Sequence, residues 1–497
     1  MGSCGGFIVL RHVYASLPLP VCIHNTRYKP LNHNALCKYI MVQMSTIFAL
    51  ATPPGKSGVA VIRVSGPAAL ESLRQFLPDA APFPPASRLA NLTELYVPNV
   101  SRETFLIDKA IVIYFKAPNS FTGEDVVEYQ LHGGPAIIRQ MLDILADMPE
   151  HRLAERGEFT RRAFENGRMD LTEAEAIADL IEAETLAQRD QALSQMQGSL
   201  RDLYEGWAER LTRCLAFLEA DLDFPDEDLP DGVAAQVLPK LDELGSEMTS
   251  HLNDNRRGER LRDGVHIAVI GAPNAGKSSL VNALTQRDVA IVSDLAGTTR
   301  DVVEVHMDLG GYPVILADTA GLKPELLQNV SRETFSGSHD DIESEGIRRA
   351  LRRAQDADFK ILLFDGAQKL DEATLSLADG NALKVINKAD LVTNLDENDA
   401  VYISLKDNQG VPEFLDILQD KIRHLIGRQD TPALTRQRHR NAVQKCLDSL
   451  AQAKGAALPE LMAEDIRIAV RELGKITGRV NVDDLLDIIF SEFCIGK

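Results

Sequence analysis

The sequence has few cysteines, no long hydrophobic run and a deficit of basic residues. Its six cysteines include no CxxC pair, which argues against a disulfide scaffold or a zinc ribbon. No stretch approaches the roughly 20 apolar residues of a membrane-spanning helix, so we expect no membrane partner. Basic residues number 53 against 73 acidic ones, a net charge of −20. This deficit argues against a general nucleic-acid coat protein, so any bound nucleic acid requires a local basic patch or a partner's surface.

Acidic residues are absent from residues 1–43, which carry four basic residues and three of the six cysteines. The remaining chain, 44–497, has 49 basic against 73 acidic residues, a net charge of −24. Residues 1–43 lack the long apolar run of a secretory signal and the amphipathic Arg/Ser pattern of an organellar transit peptide. We interpret them as an N-terminal extension, disordered or not native, with Met44 as the natural start. A transit peptide is the alternative.

Four segments follow this extension. Residues 44–166 are typical of mixed strands, turns and helix, and strands are predicted in the two apolar runs of STIFALATPPGKSGVAVIRVSG, in KAIVIYFKAP and in VVEYQLHGG. Residues 167–263 are helical, and one long helix is predicted from Leu171 onward because Gly and Pro are rare and apolar residues recur at three/four spacing. Between 264 and 426 strands alternate with helices, which predicts a parallel sheet covered on both faces. The helical pattern returns over 427–497, so we predict an α/β domain inserted into one helical domain.

A phosphate-binding pattern opens the α/β segment. Residues 271–278, GAPNAGKS, fit G-x-x-x-x-G-K-[ST] directly after the apolar run HIAVI and before a helical pattern. The glycines let backbone N–H groups turn inward around phosphates at a helix N-terminus. Lys277 is predicted to reach the β- and γ-phosphates, and the Ser278 hydroxyl to contact Mg²⁺. A chance Gly-rich turn is the alternative, and the strand–helix context argues against it.

Four further motifs follow in order. GTTRD at 297–301 supplies a switch-loop threonine, and DTAG at 318–321 offers a carboxylate for Mg²⁺ and a glycine N–H for the γ-phosphate. NKAD at 387–390 carries a carboxylate that can accept hydrogen bonds from N1–H and N2–H₂ of guanine, which adenine cannot offer. Ser-Leu-Lys at 404–406 follows the last strand, where a loop would contact the base. Five motifs in this order predict a GTP-binding domain.

Leu322 follows DTAG, where Ras-like enzymes place a glutamine that orients the attacking water. Because leucine cannot hydrogen-bond to water, another group must assist hydrolysis. The acidic residues Asp340, Asp341, Glu343 and Glu345 are candidates, and a solvated helix start is their alternative interpretation. A monovalent cation could replace the positive charge of an arginine finger.

These motifs, together with FTGEDVVEYQLHGG, RGEFTRRAFENGRMDLTEAEAIADLIEAET, LDFPDED and the C-terminal CIGK, resemble the MnmE (TrmE) family over 44–497. The resemblance implies a tRNA-modifying GTPase. With an FAD- and NADH-dependent MnmG-type partner, in a heterotetramer, it would place an aminomethyl or carboxymethylaminomethyl group on C5 of wobble uridine-34. The resemblance also implies a cytoplasmic homodimer that uses GTP, Mg²⁺, K⁺ and a tetrahydrofolate derivative (5,10-methylene- or 5-formyl-tetrahydrofolate).

The implied fold class is α/β plus all-α. A P-loop GTPase domain at 264–426 is expected to be inserted into a helical domain formed by 167–263 and 427–497. An N-terminal α+β domain for tetrahydrofolate binding and dimerisation is expected at 44–166.

The resemblance also assigns roles to individual residues. The implied catalytic residues are Glu343, which positions the attacking water, Lys277, and Cys494, a thiol near the folate site. From the residues alone, Cys494 would be a buried cysteine at a helix end. The implied potassium ligands are Asn274, Ser293, Leu295 and Thr298. The implied magnesium ligands are Ser278 and Thr299. The implied folate-binding residues are Arg63, Glu128, Arg168 and Lys497. The implied GTP-binding residues are Asn274, Ala275, Gly276, Lys277, Ser278, Ser279, Ser293, Asp294, Leu295, Ala296, Gly297, Thr298, Thr299, Asp318, Thr319, Ala320, Gly321, Asn387, Lys388, Ala389, Asp390, Ser404, Leu405 and Lys406.

Two features depart from the family pattern. Residues 323–339 lengthen the link between DTAGL and the acidic run, which chain entropy tolerates but which places Glu343 on a longer tether. The heptapeptide NVSRETF occurs at 99–105 and again at 329–335. The DNA sequence AATGTTTCACGTGAAACATT can encode it and is its own reverse complement. We hypothesise that the repeated heptapeptide reflects an inverted repeat in the DNA, similar to a bacterial chromosome-partition site, and has no role in the protein. Codons at 99–105 and 329–335 that break the palindrome would exclude this hypothesis.

Two other function classes compete with this interpretation. A ribosome-assembly GTPase would share an inserted G domain, but it needs an RNA-binding appendage such as a KH domain, and no GXXG loop in a suitable context follows. A purely regulatory binding module would not bind folate and would not need Cys494. Nucleoside analysis of tRNA from a deletion strain separates these classes.

Overall fold

The structure is a computed structural model, and it describes most of the chain after residue 44. The described residues are 45–98, 105–223, 233–285, 304–317, 356–391, 399–427, 431–480, 482–491 and 493–496. Within these stretches, no helix combines the length and the apolar character that crossing a membrane requires.

A six-stranded sheet lies at the centre of the N-terminal region. Its strands are β1 Thr46–Leu50, β2 Ser57–Ser65, β3 Ala90–Tyr96, β4 Leu106–Phe115, β5 Val126–Gly133 and β6 His151–Leu153. Their spatial order is β3-β4-β5-β2-β1-β6, with β6 parallel to β1 and the other neighbours antiparallel. Helices α1 Ala69–Phe76 and α2 Pro135–Asp147 cover one face and form an apolar core with it. The opposite face carries the alternate residues of each strand.

The sequence predicts β1, β2, β4 and β5 but not β3 or β6. β3 is an edge strand with the sequence ANLTELY, in which Leu95 is the one fully buried residue. Its alternation is therefore weak. β6 has three residues and is defined by its pairing with β1 rather than by its composition.

Three helices replace the single long helix predicted from Leu171, so that prediction is wrong. They are α4 Leu171–Glu182, α5 Leu186–Met196 and α6 Ser199–Asp223, preceded in the chain by α3 Glu158–Glu165. The first break lies at Thr185, whose hydroxyl accepts the Gln188 N–H while the Gln188 side chain accepts the Thr185 N–H. This capping box starts a new helix. The second break lies at Gly198, whose φ of 89° suits glycine at a helix end.

The α/β domain follows α7 Val233–Leu252 and α8 Arg257–Asp263. Its strands are β7 Val265–Ile270, β8 Glu304–Leu309, β9 Tyr312–Ala317, β10 Phe359–Asp365, β11 Ala382–Asn387 and β12 Ala400–Tyr402. They lie in the order β12-β11-β10-β7-β9-β8, and every neighbouring pair is parallel except β8 with β9. The predicted parallel sheet is confirmed. The antiparallel edge strand β8, EVHMDL, is missed by the sequence because half of its residues are polar.

Both faces of this sheet are covered. Helices α9 Lys277–Thr285 and α11 Val411–Ile426 pack on one face in a large apolar cluster. A smaller cluster with the short helix α10 Glu372–Leu375 lies on the other face. The carboxyl ends of β7, β10 and β11 therefore open at one edge of the sheet, where open α/β sheets bind ligands.

The helical segments on the two sides of the α/β domain share one core. After α11 the chain forms α12 Gln437–Gly455, α13 Pro459–Thr477 and α14 Asp483–Ser491. Buried residues of α12 and α13 pack with those of α6 and α7 in a single cluster. The inserted α/β domain is thereby confirmed, because neither helical segment buries its apolar stripe alone.

Helix α14 returns the C-terminus to the N-terminal region. Leu486 and Phe490 of α14 pack with Leu171 of α4, and Arg161 of α3 pairs with Asp487 at 2.8 Å. Beyond α14, the backbone of Ile495 forms a β-bridge with the residue before Gly157. The last described residues thus lie against the N-terminal sheet.

Candidate functional site

The phosphate-binding loop joins β7 to α9. Asn274 and Gly276 have φ values of 67° and 102°, and the Ala275 N–H donates to the Ala272 carbonyl oxygen at 3.2 Å, so the loop makes a tight turn just before α9. The Lys277 ammonium donates to the carbonyl oxygens of Gly271 and Ala272 at 2.8 and 3.0 Å. Lys277 is therefore held over the loop at the N-terminus of α9, where phosphate binding needs it.

Serine side chains and a buried alanine complete the loop. Ser278 and Ser279 lie in the first turn of α9 and are exposed, so the Ser278 hydroxyl is accessible to a metal ion that would lie beside bound phosphates. Ala275 is fully buried. These residues fit the Mg²⁺ ligand role predicted for Ser278, because a hydroxyl at this position lies next to the helix N-terminus.

Asn387 joins three of the predicted motifs. Its side-chain amide donates to the Ala275 carbonyl oxygen at 2.9 Å, and its Oδ1 accepts the Leu405 N–H at 3.3 Å. A Cβ atom on Gly276 would lie 2.3 Å from Asn387 Nδ2, so glycine is required there for this close approach. Asn387 itself is 4% exposed. One buried amide therefore fixes the phosphate loop, the NKAD motif and the 404–406 loop relative to one another.

Asp390 is oriented for base recognition. The Ser404 hydroxyl, fully buried, donates to Asp390 Oδ1 at 2.9 Å. The Ala389 N–H donates to the Ile403 carbonyl oxygen at 3.0 Å, which ties the motif to the end of β12. Asp390 is exposed, so its carboxylate can accept the two N–H groups of guanine. Lys406 is exposed on the same loop.

Lys388 pairs with a residue that the sequence does not single out. The Lys388 ammonium lies 2.6 Å from Asp365 Oδ2 at the end of β10. The φ of Lys388 is 62°. Burial would raise the pKa of Asp365, but the Lys388 ammonium holds it below the usual value. Because Asp365 directly follows a buried strand at the ligand edge of the sheet, strand position is the signal that could have identified it.

The remaining nucleotide-site predictions lie outside the described residues. These are Ser293, Asp294, Leu295, Ala296, Gly297, Thr298, Thr299, Asp318, Thr319, Ala320, Gly321 and Glu343. The structure therefore brings together the phosphate loop, NKAD and the 404–406 loop.

A second group of predicted residues lies on the face of the N-terminal sheet opposite α1 and α2. Arg63 of β2 and Glu128 of β5 are directly opposite in register, and Arg63 Nε lies 2.9 Å from Glu128 Oε1. Their side chains are 21% and 18% exposed. The sequence places them 65 residues apart and does not reveal this pairing.

Aromatic rings and a turn hold Arg63 in place. The guanidinium carbon lies 5.5 Å from the Phe121 ring centre and 5.6 Å from that of Phe159, which are cation–π distances. Gly123, in the turn that carries Phe121, approaches the aliphatic part of the Arg168 side chain. Arg63 and Arg168 therefore both lie next to this turn, and the sequence does not identify either phenylalanine.

The C-terminal tail lies beside this group. A Cβ atom on Gly496 would lie 2.3 Å from the Leu50 carbonyl oxygen, and its φ is 98°, so the tail packs tightly on the end of β1. β1 is the neighbour of β2, and its Ala49 is opposite Arg63. Cys494 is exposed, so the interpretation of a buried helix-end cysteine is wrong. Lys497 lies outside the described residues.

The strand order, the phosphate loop and the amide that joins three guanine-nucleotide motifs define the class: a P-loop GTPase domain inserted into a helical domain. Comparison with known families gives two matches. The model described as "GTP-binding protein TrmE N-terminus" matches residues 46–168, and "MnmE helical domain" matches residues 171–494.

Curated relatives match along nearly the whole chain. A protein named tRNA modification GTPase MnmE from Parvibaculum lavamentivorans is 48% identical over 458 residues, covering 91% of this chain and 100% of the relative. Proteins of the same name from Rhodospirillum rubrum and Rickettsia canadensis are 47% and 46% identical, each with 91% and 100% coverage. Among solved structures, the G domain of the T. maritima FeoB iron transporter matches 33% of this chain and 99% of its own at 24% identity. Its TM-score of 0.23 is too low to bear on the fold.

The chain belongs to the MnmE (TrmE) family of tRNA modification GTPases. The family resemblance, the fold class and the expectation of a GTP hydrolase are thereby confirmed.

Proposed function

We propose that this chain is the GTPase subunit of an enzyme that adds an aminomethyl or carboxymethylaminomethyl group to C5 of wobble uridine-34 in tRNA. An FAD- and NADH-dependent MnmG-type protein would be its partner in a cytoplasmic heterotetramer. The observation that carries the proposal is the Asn387 amide, which organises a guanine-nucleotide site in the same chain as the Arg63–Glu128 pair.

In the nucleotide site, each described residue has a chemical role. Lys277 and backbone N–H groups of its loop would neutralise the β- and γ-phosphates, where negative charge moves during hydrolysis. Asp390, oriented by Ser404, would select guanine. Ser278 with Thr299 would hold Mg²⁺. Potassium would be held by Asn274, Ser293, Leu295 and Thr298.

Glu343 would orient the attacking water, as a glutamine does in Ras-like enzymes, and potassium would supply the positive charge of an arginine finger. A cation held beside the transferring phosphoryl group stabilises its charge as an arginine does. A carboxylate such as Glu343 can orient the attacking water, which Leu322 cannot. Hydrolysis is therefore proposed to be potassium-stimulated.

The Arg63–Glu128 pair supports the folate proposal by its chemistry. A carboxylate that is 18% exposed can accept the paired N–H groups of a pterin, and a guanidinium can meet a carbonyl or carboxylate oxygen. Phe121 and Phe159 limit the motion of Arg63, so little ordering is needed on binding. Arg168 and Lys497 would meet the glutamate tail, and the exposed Cys494 thiol would lie beside the one-carbon unit.

A pair of exposed apolar residues supports the proposed homodimer. Leu92 is opposite Ile111, which is opposite Gln130, which is opposite Val61, in one row across four strands on the sheet face away from α1 and α2. Leu92 and Ile111 are 67% and 37% exposed, and neighbouring exposed apolar side chains are typical of an interaction surface. The next outward-facing row contains Glu128 and Arg63. A second copy seated on this face would therefore border the folate site.

Nucleoside mass spectrometry of tRNA tests the proposal. In a deletion strain, we expect wild-type protein to restore the uridine-34 modification. Glu128→Gln should restore less than about a tenth of it, because the neutral amide presents an N–H group in place of one carboxylate acceptor. Glu71→Gln, an exposed change on α1 at the other face of the same sheet, is the matched control and should restore it fully. Unmodified uridine-34 in the strain that carries wild-type protein would refute the proposal.

A further inference from the structure

The hairpin formed by β8 and β9 touches the helical domain directly. The Ala187 N–H at the start of α5 donates to the Gly311 carbonyl oxygen at 3.2 Å. The Ala187 side chain also packs against the apolar core of the GTPase domain. His306 Nδ1 of β8 lies 3.3 Å from Glu184 Oε2, just before α5. A polar pair and a backbone hydrogen bond thus join the two domains at this hairpin.

The hairpin is held together along its whole length. Gly310 and Gly311 form its two-residue turn with φ values of 63° and 93°, the conformation that matches the twist of the two strands. The Asp308 carboxylate accepts the Gly311 N–H and fixes the turn. Six residue pairs join β8 and β9 in antiparallel register. A displacement at the open end of the hairpin is therefore carried to its turn.

The open end of the hairpin is continuous in sequence with both nucleotide-sensing motifs. β8 begins three residues after the GTTRD motif at 297–301, and β9 ends one residue before the DTAG motif at 318–321. In GTPases, segments at these two places are ordered by the γ-phosphate and released after hydrolysis. Both strands of one hairpin therefore connect directly to segments that, by analogy with other GTPases, would respond to the nucleotide.

On the helical side, the contact continues into buried charge pairs. Gln188 of α5 donates from Nε2 to the Arg262 carbonyl oxygen at 2.9 Å, and Arg262 Nε donates to Asp179 Oδ1 of α4 at 3.0 Å. Arg436, just before α12, donates to the same Asp179 oxygen at 2.7 Å. The side chains of Asp179 and Arg436 are 9% and 10% exposed. A shift of α5 would thus alter pairs that link both halves of the helical domain.

We propose that the β8–β9 hairpin is the element through which nucleotide state acts on the helical domain, by making and breaking its contacts with Glu184 and Ala187. A cavity of about 690 Å³ beside the contact, lined by residues of both domains including Glu182, Arg262 and His306, leaves room for the hairpin to shift. The inference rests on the proposed GTPase function, since it requires that GTP and GDP bind at the phosphate loop.

Hydrogen–deuterium exchange of the full chain, with GDP and with a non-hydrolysable GTP analogue, tests this inference. We expect amides of 271–279 to be protected by either nucleotide. Amides of 183–196 should exchange at rates that differ at least threefold between the two states. Protection at 271–279 with equal rates over 183–196 overturns the inference and leaves the GTPase function intact. Absent protection at 271–279 overturns both.

A double variant isolates the contact. Glu184→Gln with His306→Gln removes the charged partner and the ring, and neither residue belongs to the predicted nucleotide site. We expect nucleotide affinity to stay within twofold of wild type, while the exchange difference over 183–196 falls at least threefold. His266→Gln is the matched control, because His266 is an exposed histidine on β7 of the same domain, and it should leave the difference unchanged. A double variant that keeps the full difference would contradict the proposal.

Discussion

Asn387 and Ser404 show how single side chains organise a nucleotide site from separate motifs. Asn387 bonds to the phosphate loop and to the 404–406 loop, and the Ser404 hydroxyl fixes one oxygen of Asp390. These motifs are more than 100 residues apart at the extremes, so the contacts exist only after the sheet has formed. Because Asp390 is already oriented in the folded protein, less conformational entropy is lost when its carboxylate binds a base.

Asp390→Asn is expected to change the base that the protein binds. The variant loses two charge-assisted hydrogen bonds to guanine, so GTP affinity should fall on the order of 100-fold. Xanthosine triphosphate has a carbonyl where guanine has its amino group, and the asparagine amide can donate to it. Calorimetric titration of wild type and Asp390→Asn with GTP and with xanthosine triphosphate measures whether the preferred nucleotide changes.

Asp407→Asn is the matched control for this change. Asp407 also contacts the Ser404 hydroxyl, at 3.4 Å, but belongs to no predicted base contact. Its substitution should leave the preference for GTP unchanged. If Asp407→Asn switches the base and Asp390→Asn does not, the assignment of Asp390 is wrong.

At the residue scale, the sequence predicts motif positions well and pairings poorly. The Lys277 loop and Asp390 follow from spacing alone. Lys388–Asp365 and the Phe121–Arg63–Phe159 arrangement do not, since each pairs residues whose proximity depends on strand register or on the packing of a turn. The hydrophobic periodicity of a strand indicates which face of the sheet a residue occupies, but it does not indicate which residue lies opposite it on the neighbouring strand.

At the scale of elements, the helical core contains a buried polar and aromatic cluster. The Tyr204 hydroxyl lies 3.2 Å from His251 Nε2, and the Trp207 and His251 ring centres are 5.4 Å apart. Burial lowers the pKa of His251 to about 4. The neutral form is therefore the one that the folded helices accommodate.

This burial makes the helical domain sensitive to acid. The unfolded His251 has a pKa near 6.5, so stability is fully present above that value and is lost as pH falls toward 4. Between pH 7.5 and 5.5 the free energy of unfolding should fall by about 1 kcal/mol through this group alone. This change is measured by urea unfolding at the two pH values, followed by the fluorescence of Trp207, the one tryptophan of the chain. His251→Gln should show a pH dependence smaller by that amount, and an equal dependence in both proteins would contradict the account.

The elements that the sequence misses share a physical cause. β3 and β8 are edge strands, whose side chains face solvent often enough to obscure a period of two. The break between α4 and α5 depends on the capping box at Thr185 rather than on Gly or Pro. Central strands and the helices with continuous apolar stripes are predicted, because burial on one or both faces sets their pattern.

At the scale of the whole molecule, the chain carries two candidate sites and a large net negative charge. Helix α14 and the tail bring the C-terminus to the folate-binding candidates, while the nucleotide site lies in the inserted domain. With a net charge of −20, this subunit alone is expected to bind tRNA weakly. A basic surface on the partner would then hold the RNA.

The proposed potassium site predicts a cation effect on turnover. GTP hydrolysis should be at least tenfold faster in potassium than in sodium at equal ionic strength, because the cation would stabilise charge on the transferring phosphoryl group. Asn274→Ala should remove most of this difference. A phosphate-release assay in both salts measures it, and equal rates for the wild-type protein would exclude a potassium-stimulated mechanism.

The central claim is that GTP hydrolysis in the inserted domain drives the modification of tRNA. A reconstituted reaction with the partner protein, folate and unmodified tRNA tests it with the two triphosphates. Wild-type protein should modify uridine-34 with GTP and not with xanthosine triphosphate, and Asp390→Asn should show the reverse. Modification by Asp390→Asn that proceeds equally with either triphosphate, or with none, would contradict the account.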